Sequence, residues 1–183
     1  MIAPGDAYAA LARVPGRATW LTALRRPALV AVIVGVCTAM AATGRVTPAL
    51  VLSTTVCWSF VVLLQAAIAL ALAAGPARRT VGVARAVDLF FAGHAPWSLW
   101  FLAAAAWAPS PVGRPLMPLL AAAVVPLVLT PRIVMAFFRE VLEMDPREAA
   151  ARTAAHQAAS WLAFLILYGT AVQLFPRVLE WFA

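Results

Sequence analysis

The chain has no lysine and no asparagine, and only two cysteines and two histidines among its 183 residues. With no lysine, all 14 basic residues are arginine. Cys37 and Cys57 form no CxxC pair and no metal-ligand spacing, and both fall inside apolar segments, where a free thiol packs as a small apolar group. His94 and His156 are isolated from each other and from cysteine, so no zinc site is expected. Charge is also scarce, at 11% of residues, with only seven acids. No serine-nucleophile motif, phosphate loop, haem-ligand pair or nucleic-acid-binding motif is present. The expectation is a protein without cofactor, metal, catalytic centre or nucleic-acid partner.

What fills the chain instead is apolar. Hydrophobic residues make up 64% of it and the mean hydropathy is +0.92, against roughly 45–50% apolar residues in a soluble domain. Five apolar segments of about 20 residues would nearly use up the length. The expected fold is therefore an all-α integral membrane protein, a compact bundle of five spans near 27–43, 49–74, 86–107, 116–138 and 158–175. Residues 1–26 form a separate arm. Arg25-Arg26 before an apolar run, with Ala39-Met40-Ala41 further on, resembles a signal peptide, but the long basic region favours a retained first span.

The six polar stretches around these segments hold four, one, three, one, four and one arginines in order, so alternate stretches carry 11 of the 14. This is the positive-inside pattern. It predicts a cytoplasmic N-terminus and a periplasmic C-terminus, with anionic headgroups as the counter-charge for a formal +7. The lack of lysine and asparagine fits a GC-rich bacterial genome, hence a bacterial inner membrane. Trp107 and Trp181 would sit at the outer interface, Trp20 and Trp161 toward the inner one.

Local signals refine the spans. Asp6 can cap a short helix over 7–14, with Tyr8 and Leu11 on its lipid-facing side. Residues 44–48 read as a tight turn. Gly75-Pro76 should break the second span. Gly93, His94 and Pro96 should kink or break the third, and Pro118, Pro126 and Pro131 should bend the fourth. Asp145-Pro146-Arg147-Glu148 is a helix start, and Pro176 should end the fifth span. Gly35 and Ala39 form a small-xxx-small contact.

Two groups of residues are candidates for function. One is an intramembrane polar and aromatic cluster: Gln65, Asp88, His94, Trp97 and Trp100. Ionisable groups inside a span are costly and often mark ion or proton paths. The plainer reading pairs Asp88 with Arg85, gives His94 a freed carbonyl, and uses the tryptophans for packing. The other group is the charge-dense link between the fourth and fifth spans: Arg139, Glu140 and Glu143, then Asp145, Arg147, Glu148 and Arg152. Arg139/Glu143 and Glu148/Arg152 have the four-residue spacing of helical ion pairs. This link is a candidate partner-binding surface.

Ala3, Pro4, Ala7 and Leu11 in the arm, the five compact segments, and a proline-containing third segment with His94-Ala-Pro96 together resemble bacterial members of the Yip (Ypt-interacting protein) family. That resemblance implies a non-catalytic, membrane-organising or partner-binding role, the partner being another membrane protein or a second copy. It carries no functional residue across. A small proton-coupled or solute transporter using the broken third helix, and an accessory subunit of a membrane complex, are the alternatives. A reporter fused after Ala183 is expected to lie in the periplasm, so that one active only there should be active. Cytoplasmic reporter activity there would reverse the orientation read from the arginines.

Overall fold

The computed structural model describes residues 3–14, 18–107 and 117–182, without the side chains of 171, 172 and 174–182. The described residues form helices and no strand: α1 (Pro4–Arg13), α2 (Trp20–Ala23), α3 (Arg25–Thr43), α4 (Pro48–Arg79), α5 (Val83–Ala92), α6 (Ala95–Trp107), α7 (Met117–Ala122), α8 (Val124–Ala136), a π turn (Phe137–Val141) and α9 (Pro146–Phe182). Three stretches are long and apolar enough to cross a membrane: Trp20–Thr43, Pro48–Arg79 and Met117–Val141. The pair α5 and α6, bent by 42°, makes a fourth if taken as one broken span. Only 11–33% of the most apolar part of each of the three continuous stretches is buried inside the protein. The outward faces carry Leu29, Leu52, Val56, Leu63, Leu99 and Leu162, all exposed. An apolar surface of that extent calls for lipid around it. These helices suggest a membrane-embedded protein.

Chain reversals follow local chemistry. Gly44 ends α3 in the left-handed conformation (φ 66°), which glycine adopts without a Cβ penalty. Thr47 then caps α4 by accepting from the Leu50 N–H, and Pro48 takes the first helical position. The expected turn over 44–48 is therefore present. The first candidate span begins at Trp20, earlier than 27, because Thr19 caps α2 and Leu24 joins it to α3 in helical conformation.

Three expectations about helix ends are corrected. First, α1 starts at Pro4, with Ala3 as the extended cap residue and Asp6 in its first turn. Proline preorganises that first turn, so Asp6 is not needed as the cap. Second, Gly75-Pro76 does not break α4, which runs on to Arg79. Pro76 has no N–H for the Leu72 carbonyl, and the Arg152 guanidinium donates to that carbonyl instead. A donor reaching in from α9 thus replaces the lost bond. Third, α9 passes through Pro176 to Phe182.

Other breaks fall where they were expected. The third segment divides between Ala92 and Ala95, beside Gly93 and Pro96. The fourth divides at Ala123, one residue after Ala122, whose carbonyl loses its helical donor to Pro126. Its end is a π turn closed by a Met144 N–H bond to the Phe138 carbonyl, with Glu143 at φ 53°. Pro109, Pro111, Gly113 and Arg114, and the side chains of Arg177 and Trp181, lie outside the described residues.

The densest core sits where α1, α5, the π turn and the start of α9 meet. Leu89, Phe90, Phe137, Phe138 and Val141 are at most 3% exposed there. Ala69, Ala73 and Ala77 are buried at four-residue spacing on α4, where small side chains allow α5 and α9 to approach. Farther along, α3 and α4 touch at Gly35. The Thr54 hydroxyl donates to the Gly35 carbonyl at 2.8 Å, and a Cβ on Gly35 would lie 2.8 Å from the Thr55 backbone. Gly35→Ala is expected to force these helices apart and cost about 1–3 kcal/mol, as overpacking does. Reversible unfolding in mixed micelles measures this, and an unchanged midpoint would mean the contact is loose.

Candidate functional site: a cavity between the helices

The polar cluster expected from sequence divides into two places. Asp88, 8% exposed, is not among the residues that line the cavity holding Gln65, His94 and Trp97. Its carboxylate lies 3.0 Å from Arg85 and 3.3 Å from Arg26, and Arg26 also donates to the Asp88 carbonyl at 3.1 Å. Arg85 donates onward to the Leu11 carbonyl in α1 at 3.2 Å. One acid therefore ties the end of α1 and the start of α3 to α5. With both oxygens held by guanidinium groups, Asp88 is an anchor.

Trp100 is also elsewhere, donating its indole N–H to the Leu119 carbonyl at 3.1 Å and so fastening α7 to α6. Gln65, His94 and Trp97 do come together. They line a cavity of about 210 Å³ among α1, α3, α4, α5, α6, α8, the π turn and α9. The break at residues 93–96 turns His94 and Trp97 toward it. The His94 ring hydrogen-bonds the Phe90 backbone and stacks on Phe91 at 4.6 Å. The turn tightens here: the Gly93 N–H donates to the Phe90 carbonyl at 3.1 Å and the His94 N–H to the Phe91 carbonyl at 3.3 Å, so the His94 ring shares the Phe90 carbonyl with Gly93.

Most of the wall is apolar, with aromatic rings on several sides. Trp97 packs against Trp161 (6.3 Å between ring centres), and Phe90 lies between the rings of His94 (5.2 Å) and His156 (5.3 Å). Such an enclosure with a few fixed polar groups has the character of a small-molecule site. Its volume is below the roughly 300–1,000 Å³ of drug-sized sites and above the ~150 Å³ that accommodates benzene. One substituted ring is the scale it suits.

Four wall residues were not among the candidates for this cluster: Tyr8, His156, Ser160 and Trp161. Tyr8 was expected to face lipid but is 5% exposed, and its ring packs edge-on to Phe137 at 6.0 Å. The reason is Gly93: a Cβ there would sit 2.5 Å from the Tyr8 hydroxyl, so only glycine admits the phenol. Burial pushes the Tyr8 hydroxyl above its ordinary range, so it stays protonated. His156 is 3% exposed and Ser160 9%. They are four apart on α9, a spacing that places them on one face, and this was the available signal. Trp161, expected at the inner interface, belongs to the same cavity wall.

The charged link is arranged differently from two successive helical pairs. Glu148 and Arg152 do pair, at 2.8 Å. Arg139 and Glu143 are not among the ion pairs of the described residues, because the π turn and the left-handed Glu143 remove the α-helical spacing. Asp145 caps α9 by accepting from the Arg147 and Glu148 N–H groups at 2.9 and 3.2 Å. Arg139, Glu143, Asp145, Arg147 and Glu148 are exposed, while Glu140 and Arg152 are half-buried. Among the described residues no group of three or more histidine, cysteine or acidic side chains could hold a metal.

Compared with protein-family models, with curated proteins and with solved structures, the chain matches none.

The two ion pairs should differ sharply in worth. Asp88→Asn leaves two guanidinium groups facing a neutral amide in a mostly buried site and is expected to cost about 3 kcal/mol, the low end for a broken buried pair because Arg26 is partly exposed. Glu148→Gln removes an exposed partner and should cost less than about 1 kcal/mol. Unfolding in mixed micelles compares them, and equal costs would contradict the role given to Asp88.

Proposed function

We propose that this protein is a five-span helical protein of the bacterial cytoplasmic membrane, N-terminus inside and C-terminus outside, that binds a small and largely apolar molecule within the bilayer. The single observation that carries this reading is the cavity bounded by Gln65, His94 and Trp97. Packed dry, these groups would have spoken for a purely structural bundle. Open space beside them favours a ligand, and apolar walls favour one that reaches the site from the lipid. The role is non-catalytic binding or passage. Asp88, held by two arginines away from the cavity, is no support for a proton path, so coupling to protons is not part of the proposal.

The membrane-organising role implied by the Yip resemblance is a second reading, on a different surface. It is favoured by the exposed charges Arg139, Glu143, Asp145 and Arg147, presented on a turn whose neighbours Phe138, Val141 and Leu142 are buried. A rigid, charged turn suits a protein partner, whether another membrane protein or a second copy of this chain. The two readings are compatible, since cavity and turn share the π turn.

Binding is tested with durene, an apolar substituted benzene, titrated into the protein in lipid nanodiscs against protein-free nanodiscs. Saturable uptake of one durene per protein is expected, and it should be lost in Ser98→Phe, which fills the cavity. Uptake no greater than that of empty nanodiscs would overturn the binding role.

A further inference from the structure

Three polar atoms at the cavity have no hydrogen-bond partner among the described residues: the Tyr8 hydroxyl, His156 Nε2 and Ser160 Oγ. All three belong to residues at least nine-tenths buried, and all three residues line the one cavity. A buried polar atom left unbonded keeps the full cost of its lost hydration. Native proteins rarely leave several together without a use. Thr153, on the same helix, shows the ordinary alternative, its hydroxyl returning to the Ala149 carbonyl at 2.7 Å. Ser160 makes no such bond to its own helix.

The chemistry of the three is consistent. The Gln157 side-chain nitrogen lies 3.5 Å from His156 Nδ1. An amide N–H directed at Nδ1 makes that nitrogen the acceptor and places the ring proton on Nε2. His156 therefore offers a donor to the cavity. Tyr8 and Ser160 offer hydroxyls, which also donate. No carboxylate or guanidinium lines the space, so a charged ligand would have no counter-charge. Phe90, Phe137, Trp97 and Trp161 supply faces and edges for a flat ring.

We infer that the cavity is a binding site for a neutral, membrane-soluble ring compound bearing carbonyl oxygen, of the quinone class, with Tyr8, His156 and Ser160 as the donors that recognise its oxygens. This rests on the binding role proposed above and names its ligand chemistry. Two of the donors lie on one face of α9 and the third on α1. The site is thus complete only when the N-terminal helix is docked. The ring lies among the aromatic walls, and any tail leaves between the helices into lipid.

Duroquinone and durene form a matched pair of probes. They share the methylated ring and differ in the two carbonyl oxygens, and duroquinone has no open ring position for addition to Cys37 or Cys57. Calorimetric titration into nanodisc-embedded protein, corrected for partition into empty nanodiscs, is expected to give duroquinone about tenfold tighter binding than durene. Tyr8→Phe, Ser160→Ala and His156→Phe should each narrow that preference, with durene affinity retained as the sign of an intact fold. Equal affinity for the two probes in the wild type would overturn the ligand class and leave the binding role standing. Failure of both probes to bind would overturn the two together. A preference for duroquinone that survives all three substitutions would remove these residues as the recognising donors.

Discussion

The ion cluster at Asp88 is the interaction on which the arrangement depends. A carboxylate 8% exposed within an apolar helix is tolerable only with its charge answered nearby, and Arg85 and Arg26 answer it from α5 and α3. Arg85 then has a donor to spare for the Leu11 carbonyl at the end of α1. Through these bonds the N-terminal helix is held against the bundle. Tyr8 enters beside Gly93, and the cavity acquires its third wall donor. The costly charge thus sits next to the cavity's closing element without being part of the cavity.

A second constraint comes from the prolines. In lipid a backbone carbonyl that loses its helical donor has no water to turn to. Two remedies appear. At Pro76 the helix stays whole, because Arg152 crosses from α9 to the Leu72 carbonyl. Near Pro96 and Pro126 the helices divide, into α5 and α6 and into α7 and α8. Pro131 stays inside α8 without a break, so proline alone does not decide where a helix divides. The bend at residues 93–96 is the one that matters for function, since it directs His94 and Trp97 at the space between helices.

Much of the local structure was legible. The turn over 44–48, the break beside Gly93 and Pro96, the Asp145 cap and the Glu148–Arg152 pair each arise from residues within a few positions of one another. Apolar length likewise announced a helical membrane protein, and among the described residues three to four helices are long and apolar enough to span. The errors share a cause. Tyr8 looked lipid-facing because its partner surface, at Gly93 and Phe137, is remote in sequence. Pro76 looked like a helix end because Arg152 lies 76 residues further along. Arg139 and Glu143 looked like a helical pair because nothing nearby signals the π turn.

Of the candidate cluster, Gln65, His94 and Trp97 meet at one cavity while Asp88 and Trp100 do other work. Composition and spacing could not separate them, since polarity inside a span marks both an anchor and a ligand group. The sequence by itself determined the class of molecule, the local caps and turns, and the charge asymmetry that predicts its orientation. Those depend on total apolar area and on bonds between near neighbours. Tertiary structure decided which polar groups pair and which stay open. A hydrogen bond's partner is set by position in space, and only the packed helices put Tyr8, His156 and Ser160 around the same space with nothing to bind.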